Sequence, residues 1–408
     1  MMDAARAAAS LLRASAARER AHEMLVLCEA GSLAHWRLDR ARLSSAATYV
    51  LETMRRDYPD FDIPFHARWR HFRTDRSDRG APYGPAGATF ASKEARSAAA
   101  IDLAVVSVLL DAGAGSLWRY RTSEGDLIGR SEGLAIASVD MFEAGFFSSS
   151  KAEPRRVDAA ALAGLAPEDL ARGLQIGPDN PLEGAPGRLA LLRGLGRALA
   201  ARPNEFAQGR PGDMFERLGE SARGAPIGAP AVLELILQTF AGVWPGRISI
   251  EGVGLGDTWR HKAIVRQDAT NGLVPFHKLS QWMTYSLIEP LQWGGLEIND
   301  LDGLTGLPEY RNGGLFVDLG VLSPRSLQAL ADIHSPADEI IVEWRALTLA
   351  LLDELASMLR ERLGLDKQTL PLACVLQGGT WSSGRRIARE LRADGAPPLA
   401  IRSDGTVF

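Results

Sequence analysis

The densest signal in the chain lies in residues 272–320, GLVPFHKLSQWMTYSLIEPLQWGGLEINDLDGLTGLPEYRNGGLFVDLG. An apolar approach from Leu273 to Phe276 delivers two titratable side chains, His277 and Lys278. An amphipathic run with Trp282, Tyr285, Leu287 and Ile288 follows. It is expected to stop at Pro290, which has no N–H to give to a helix ladder. After a turn at Gly294-Gly295 comes Glu309-Tyr310-Arg311-Asn312-Gly313-Gly314, an acid, a phenol, a guanidinium and an amide beside two permissive glycines. Apolar neighbours predict that Lys278 and Glu309 are partly buried, and buried ionisable groups are costly unless paired or functional. From spacing alone, a structural pair that pins a turn and a catalytic carboxylate read equally well.

Outward from this stretch, the pattern is helical. Residues 4–30 read as one helix stopped by Gly31, residues 43–57 as a second, and His35 to Leu38 as a short extended piece between them. Ala98 to Leu110 is an apolar run, read as a buried helix that ends at Asp111. An acid there suits either ligand contact or a hydrogen bond to the glycine turn that follows. Arg119 to Arg130 reads as a hairpin turning at Glu124-Gly125-Asp126, and Ser131-Glu132-Gly133 opens the next helix. In that helix Glu132 sits in the first turn, where the helix dipole favours an acid. Val157 to Leu174 reads as a helix pair with Asp158 as N-cap. Further helices are expected over residues 188–201, 214–218, 231–240 and 338–363, and after Trp381, with a short strand over residues 247–251.

The fold class is therefore mainly α with a few short β-strands (α+β). Gly252 to Gly256 imitates a dinucleotide loop, but no helix with a suitably placed acid follows, so a Rossmann site is rejected. Residues 1–97 are expected to form an N-terminal helical segment with an aromatic and basic loop, packed on a core of residues 98–408. A single domain over 1–408 is the alternative. Thr74 to Ala88, rich in Gly, Pro and Asp, is the clearest candidate for a mobile loop.

Hydrophobic residues at 46% and charged residues at 24% are ordinary for a globular protein, and a net charge of −4 gives no electrostatic case for nucleic acid. No apolar run approaches a membrane span. The two cysteines, Cys28 and Cys374, form no framework or metal motif, so a reducing cytoplasm is expected. No G-x-S-x-G is present, and no pair of histidines has helical metal-ligand spacing, so neither a nucleophilic triad nor a metal is expected. What remains is a carboxylate-centred site: Glu309, with Asp111, beside Lys278. In residues 63–72, IPFHARWRHF, aromatics alternate with His66, Arg68 and His71, which suits a pocket wall or an anion-facing loop. A cluster packed on the next helix suits it equally. Two carboxylates are the usual needs of glycosidic cleavage, and arginines suit an anionic handle.

Five motifs in order, IPFHARWRHF (63–72), DLAVVSVLLDAGAG with WRYR (102–121), RSEGLAIASVDMF (130–142), GLVPFHKLSQWMTYSLIEPL (272–291) and DGLTGLPEYRNGGLFVDLGVL (302–322), resemble the uracil-catabolism protein four family. The resemblance covers nearly the whole chain. It implies a role in a pathway that opens the pyrimidine ring of a uracil-derived nucleoside or nucleotide and then releases urea. From Asp111 onward the motif order is also similar to the queuosine-salvage family, nucleotide N-glycosylases with a largely helical, DNA-glycosylase-like fold. That family carries a Phe-Tyr-Lys-Arg-Ala-Gln segment and an Ala-Asp-Tyr-Arg segment. Here they read Phe276-His277-Lys278-Leu279-Ser280-Gln281 and Pro308-Glu309-Tyr310-Arg311, so Glu309 fills the catalytic Asp position and Lys278 that of the lysine. Glu is longer by one methylene, about 1.5 Å, and Asn-Gly-Gly replaces a proline turn after Arg311.

Together the resemblances imply an N-glycosidic hydrolase that cleaves a ribosylurea-type nucleoside, or its 5′-phosphate, to urea and ribose or ribose phosphate. Glu309 would stabilise the oxocarbenium ion or activate water, Lys278 would orient Glu309 or bind an oxygen, and Asp111 would contact ribose hydroxyls or the leaving group. The expected binding residues are Phe65, His66, Arg68, Trp118, Arg121, Glu132, His277, Trp282, Tyr310 and Arg311. The implied partner is a small nucleoside- or nucleotide-derived substrate, with no cofactor, no nucleic acid and no membrane. A metal-dependent amidohydrolase acting on the opened ureido chain and a non-catalytic binding protein of the pathway are the alternatives.

Overall fold

A computed structural model describes residues 4–87, 89–244, 248–403 and 405–406. Among the described residues helices dominate, and the strands are short and pair in twos, so the fold is mainly α with some β. The chain forms two compact units, each assembled from separated segments. The first comprises Met1–His66, Arg247–Gln281 and Asp300–Arg402; the second comprises Ala67–Gly246, Trp282–Asn299 and Ser403–Phe408.

The first unit is built on the helix Glu339–Leu363, whose first half is buried on every side. It packs against the helices Ala14–Glu29, Ala41–Asp57 and Tyr310–Asp318. A helix buried on every side belongs inside a core, and the charges it carries there need partners. Trp344 stacks on Trp36 at 6.3 Å, and the Trp36 indole donates to Ile340 O. Gly364, at φ +65°, closes the helix, with the Leu365 N–H returning to Arg360 O. Around this helix, Trp36–Leu38 pairs antiparallel with Leu322–Pro324, and Thr258–Arg260 with Leu273–Pro275. Of the strand expected over residues 247–251, Ser249–Ile250 is observed, while Arg247 lies outside the described residues.

The helix expected over residues 4–30 is two helices, Ala4–Leu11 and Ala14–Glu29, with Arg13 extended between them. No Pro or Gly breaks it. The cause is tertiary: Leu11 O, which a continuous helix would bond internally, is met by His277 Nε2 at 2.8 Å.

The second unit is built on Lys93–Leu110, buried along most of its length and N-capped by Ser92, whose hydroxyl accepts from the Ala95 N–H. It packs against Arg130–Glu143, Ala185–Ala200 and Met214–Ala222. One charge interrupts its apolar surface. Asp102, fully buried, receives Arg210 Nη2 at 2.6 Å and the Val157 and Gly212 amides at 2.9 and 2.7 Å. The expected hairpin is present, with Arg119–Arg121 antiparallel to Leu127–Gly129, and Asp158 caps the helix Ala159–Gly164 as read. The segment expected to be a mobile loop is folded over its described part. Asp78 accepts the Gly80 and Ala81 amides, and Tyr83 is wholly buried against Trp69 and Phe142; Ala88 lies outside the described residues.

Pro290 does not stop its helix, which runs from Lys278 to Gly294. Proline removes the donor that Ser286 O would have met, and the Trp69 indole N–H supplies another at 2.8 Å. The neighbouring turn is held by Ser97, whose hydroxyl donates to Pro290 O at 2.8 Å. The local sequence rule is thus overridden by two side chains remote in sequence. Trp69→Phe should cost about 1–3 kcal/mol in denaturant unfolding, the penalty of an unsatisfied buried carbonyl. Pro290→Ala in that background should recover part of the loss by restoring the helical donor.

Candidate functional site

In the first unit the sequence Leu307-Pro308-Glu309 delivers an acid to a helix start. Glu309 is the N-cap of Tyr310–Asp318, at φ −119° and ψ 169°. Its Oε2 accepts the Arg311 N–H and its Oε1 the Asn312 N–H, both at 2.7 Å. Asn312 Nδ2 donates back to Leu307 O at 2.9 Å and closes the turn. Caps are ordinarily Ser, Thr, Asp or Asn. Here the longer glutamate reaches two amides at once. The carboxyl is almost wholly buried, which pushes its pKa above the usual range, while the two amides and the charges of Lys278 and Arg311 pull it down; burial prevails.

Two glycines let this helix approach its neighbours. A Cβ on Gly313 would meet the Trp344 ring at 2.7 Å, and Trp344 Nε1 donates to Gly313 O. A Cβ on Gly384 would meet Arg311 O at 2.2 Å, so only glycine lets Ser382–Leu391 pack against this helix.

Lys278 opens the helix Lys278–Gly294, and its backbone N–H donates to Asp257 Oδ2 at 2.9 Å. Asp257 is itself buried. Arg345 grips both its oxygens, Nη1 to Oδ1 at 2.9 Å and Nη2 to Oδ2 at 2.7 Å, and the Trp259 indole donates to Oδ1 at 2.6 Å. The Arg345 guanidinium lies 4.1 Å over the Phe276 ring, and its Nε reaches Pro308 O at 3.5 Å. Neither Asp257 nor Arg345 stood out in the sequence. The available signal was an arginine inside an otherwise buried helical face, directly after Trp344.

Nearby in the same unit, His66 Nδ1 lies 2.8 Å from Gln377 Oε1, and its ring is 5.6 Å from Trp381, over which Arg385 lies at 4.7 Å. Gln377 and Trp381 belong to a π-helical segment, Val375–Trp381, a form often found at functional sites. Phe65 beside His66 is half-buried. Tyr310 is half-buried beneath the Arg311 guanidinium, which is 5.0 Å from its ring and donates to Gly395 O. His277 is buried at φ +51°, where burial pulls its pKa down, and it is bonded to Leu11 O rather than open to solvent.

In the second unit Asp111 caps the end of Lys93–Leu110. The turn is fixed by Arg188, fully buried, which donates to Leu110 O, Ala112 O and Gly113 O at 2.7–2.9 Å. Asp111 Oδ1 accepts the Ser131 hydroxyl at 2.7 Å, and Oδ2 accepts Arg68 Nη1 at 2.9 Å and the Trp282 indole at 3.2 Å. Arg68 also donates to Ser107 and Ser131, and His71 Nδ1 lies 2.8 Å from Ser131 Oγ. Burial pulls the Arg68 pKa below its ordinary value, while Asp111 and half-buried Glu132 oppose that. Sequence reasoning named Arg68, Asp111 and Trp282 separately; the fold bonds them in one network with Ser107 and Ser131, which it passed over, and Glu132 acts on Arg68 by charge. Trp118 is elsewhere, fully buried with its indole donated to Leu174 O, and Arg121 is exposed on the hairpin.

Among the described residues no three His, Cys, Asp or Glu side chains group as metal ligands, and no helix is long and apolar enough to cross a membrane. A family model described as "Protein of unknown function (DUF1688)" matches residues 10–408. The chain belongs to this family. It is 40% identical over 416 residues to "Protein urg3" of Schizosaccharomyces pombe, with 98% of each chain covered. It is 38% identical over 408 residues to "Uracil catabolism protein 4" of Lachancea kluyveri, with 92% of each covered. Matches over nearly the full length agree with the span of the five motifs.

The Arg68–Asp111 network carries its own expectation. Arg68→Met should destabilise the protein by about 3–5 kcal/mol, because it leaves Asp111 without its charge partner in a mostly buried site. Thermal and denaturant unfolding measure this.

Proposed function

We propose that the chain is an N-glycosidic hydrolase of uracil catabolism, cleaving a ribosylurea-type nucleoside or its 5′-phosphate to urea and ribose or ribose phosphate. The observation that carries this reading is Glu309, a buried carboxylate fixed by two backbone amides with the charge of Lys278 acting on it. The name of the Lachancea relative supports the pathway. The likeness of residues 276–281 and 308–311 to the queuosine-salvage glycosylases supports the bond.

In this reaction the bond between the anomeric carbon and the urea nitrogen breaks, and its electron pair leaves with nitrogen. Positive charge develops on the sugar carbon and ring oxygen. Each Glu309 oxygen uses one lone pair on an amide and keeps another for the oxocarbenium ion or for a water proton. Because the carboxylate is already oriented, little reorganisation is needed as the charge develops. Burial makes Glu309 a stronger base than an exposed glutamate. The water hydroxyl ends on carbon and its proton on the departing nitrogen, so urea leaves neutral. Against the pull of burial, the two amides and then the charges of Lys278 and Arg311 favour the ionised form of Glu309.

The test is to incubate the purified protein with ribosylurea and with its 5′-phosphate and to measure urea. Release from one of them, reduced about 10²–10⁴-fold in Glu309→Gln with an unchanged circular dichroism spectrum, is expected. No urea from either, or full turnover by Glu309→Gln, overturns the reading.

The pH profile is a second check. Below its raised pKa Glu309 is protonated and idle, so activity should appear as pH rises through a value above the ordinary glutamate figure of about 4.3. An acid limb at or below that figure would assign the base to another group.

A further inference from the structure

We infer that Arg345 is the positioning residue of Glu309 and Lys278, acting on the Lys278 helix start through the buried carboxylate of Asp257 and on the approach to Glu309 through Pro308 O. The inference rests on the reading of Glu309 as the catalytic carboxylate, and adds what sets its geometry.

A buried ion pair is poor evidence for a stabilising role, because desolvation offsets most of the attraction. An apolar pair of similar volume would fill the same core. What an apolar pair would not do is bond the backbone, and here both partners also bond the two segments that carry the site. Asp257 Oδ2 accepts the Lys278 N–H, and Asp257 O accepts the Phe276 and His277 N–H groups at 2.9 and 3.3 Å. Arg345 Nε turns to Pro308 O, one residue before Glu309. One guanidinium fork therefore sets both the start of the lysine helix and the entry to the glutamate cap.

A second observation agrees. His277, between the apolar approach and Lys278, stands at φ +51°, a left-handed conformation that a residue with a Cβ disfavours. Such a conformation persists only where surrounding bonds hold it, and the bonds to Asp257 flank it on both sides. The direction in which Lys278 leaves the turn is thus a consequence of the Asp257–Arg345 pair. Lys278 and Arg311 act on Glu309 by charge. The helices packed against the Glu309 helix bring Arg345, bound through Pro308, and Arg385, over Trp381.

Arg345→Lys is the informative change, since it keeps the charge and removes the planar fork that meets two carboxylate oxygens at once. The expected result is a kcat lower by about 10²-fold, the order that a displacement near 1 Å costs, with KM changed far less. The acid limb of the profile should also move to higher pH, because Lys278 no longer holds Glu309 down. Lys278→Met should move the limb in the same direction, and adding Arg345→Lys to it should move it no further.

If Arg345→Lys lowers only the melting temperature and leaves kcat and the limb in place, the inference is overturned. Two limb displacements that add would also overturn it. Should the unmodified protein release no urea, the functional reading fails first. The inference is then read from the carboxyl infrared band of ¹³C-labelled Glu309, where Arg345→Lys must raise the proton affinity and Lys278→Met must absorb that effect. A band unmoved by Arg345→Lys overturns the inference on its own.

Discussion

In the first unit the structure depends on one buried contact, the two-point ion pair of Asp257 and Arg345. Away from water, neither partner tolerates losing the other, so every segment they bond is committed to a single arrangement. These segments are the strand at Thr258–Arg260, the turn at Phe276–Lys278 and the approach to Glu309. The same helix places Trp344 beside Arg345, and Trp344 in turn stacks on Trp36 and fills the space left by Gly313. Polar commitment and apolar packing thus act from adjacent residues of one helix. Packing fixes how closely the elements approach, and the ion pair fixes their register and direction.

In the second unit arginines act at three points, two as ion pairs and one on backbone carbonyls. Arg210 neutralises Asp102 within the apolar helix Lys93–Leu110, Arg188 ties down the carbonyls at its end, and Arg68 grips the Asp111 that follows. A helix C-terminus has unsatisfied carbonyls, and a buried one needs donors. A buried arginine supplies several at once, with a geometry that lysine lacks. The result is that Asp111, the acid that ends an apolar run, is held by its backbone and by its side chain independently.

Most of the fold was legible because periodicity and punctuation are local. The buried helix before Asp111, the hairpin at Glu124–Asp126, the Asp158 cap and the long helix before Gly364 all follow from residues close in sequence. The errors share a cause. The break after Leu11 is made by His277, and the helix continues through Pro290 because Trp69 supplies a donor. In both cases a side chain far along the chain overrides a propensity of about 3 kcal/mol or less. The candidate site divides in the same way. Glu309, Lys278, Arg68 and Asp111 announce themselves as charges in apolar surroundings. Asp257, Arg345 and Ser131 do not, because their significance lies in what they bond across the fold. The division into units is equally hidden, since each is made of separated segments and no linker composition marks the joins.

A glutamate cap differs physically from an aspartate cap. An aspartate at a helix N-cap is placed by its shortness: its carboxylate sits over the first turn and bonds an amide there. A glutamate must fold back to do the same, and Glu309 does so with both oxygens, on Arg311 and Asn312. The extra methylene therefore changes where the carboxylate lies without freeing it. Each amide bond also lowers its basicity, and burial restores it. The amides thereby set the orientation and lower the proton affinity, and the apolar surroundings raise it. Lys278 then adjusts the balance from a helix start that Asp257 controls. The amides thus fix the geometry of the carboxylate, while the charges of Lys278 and Arg311 act on its basicity.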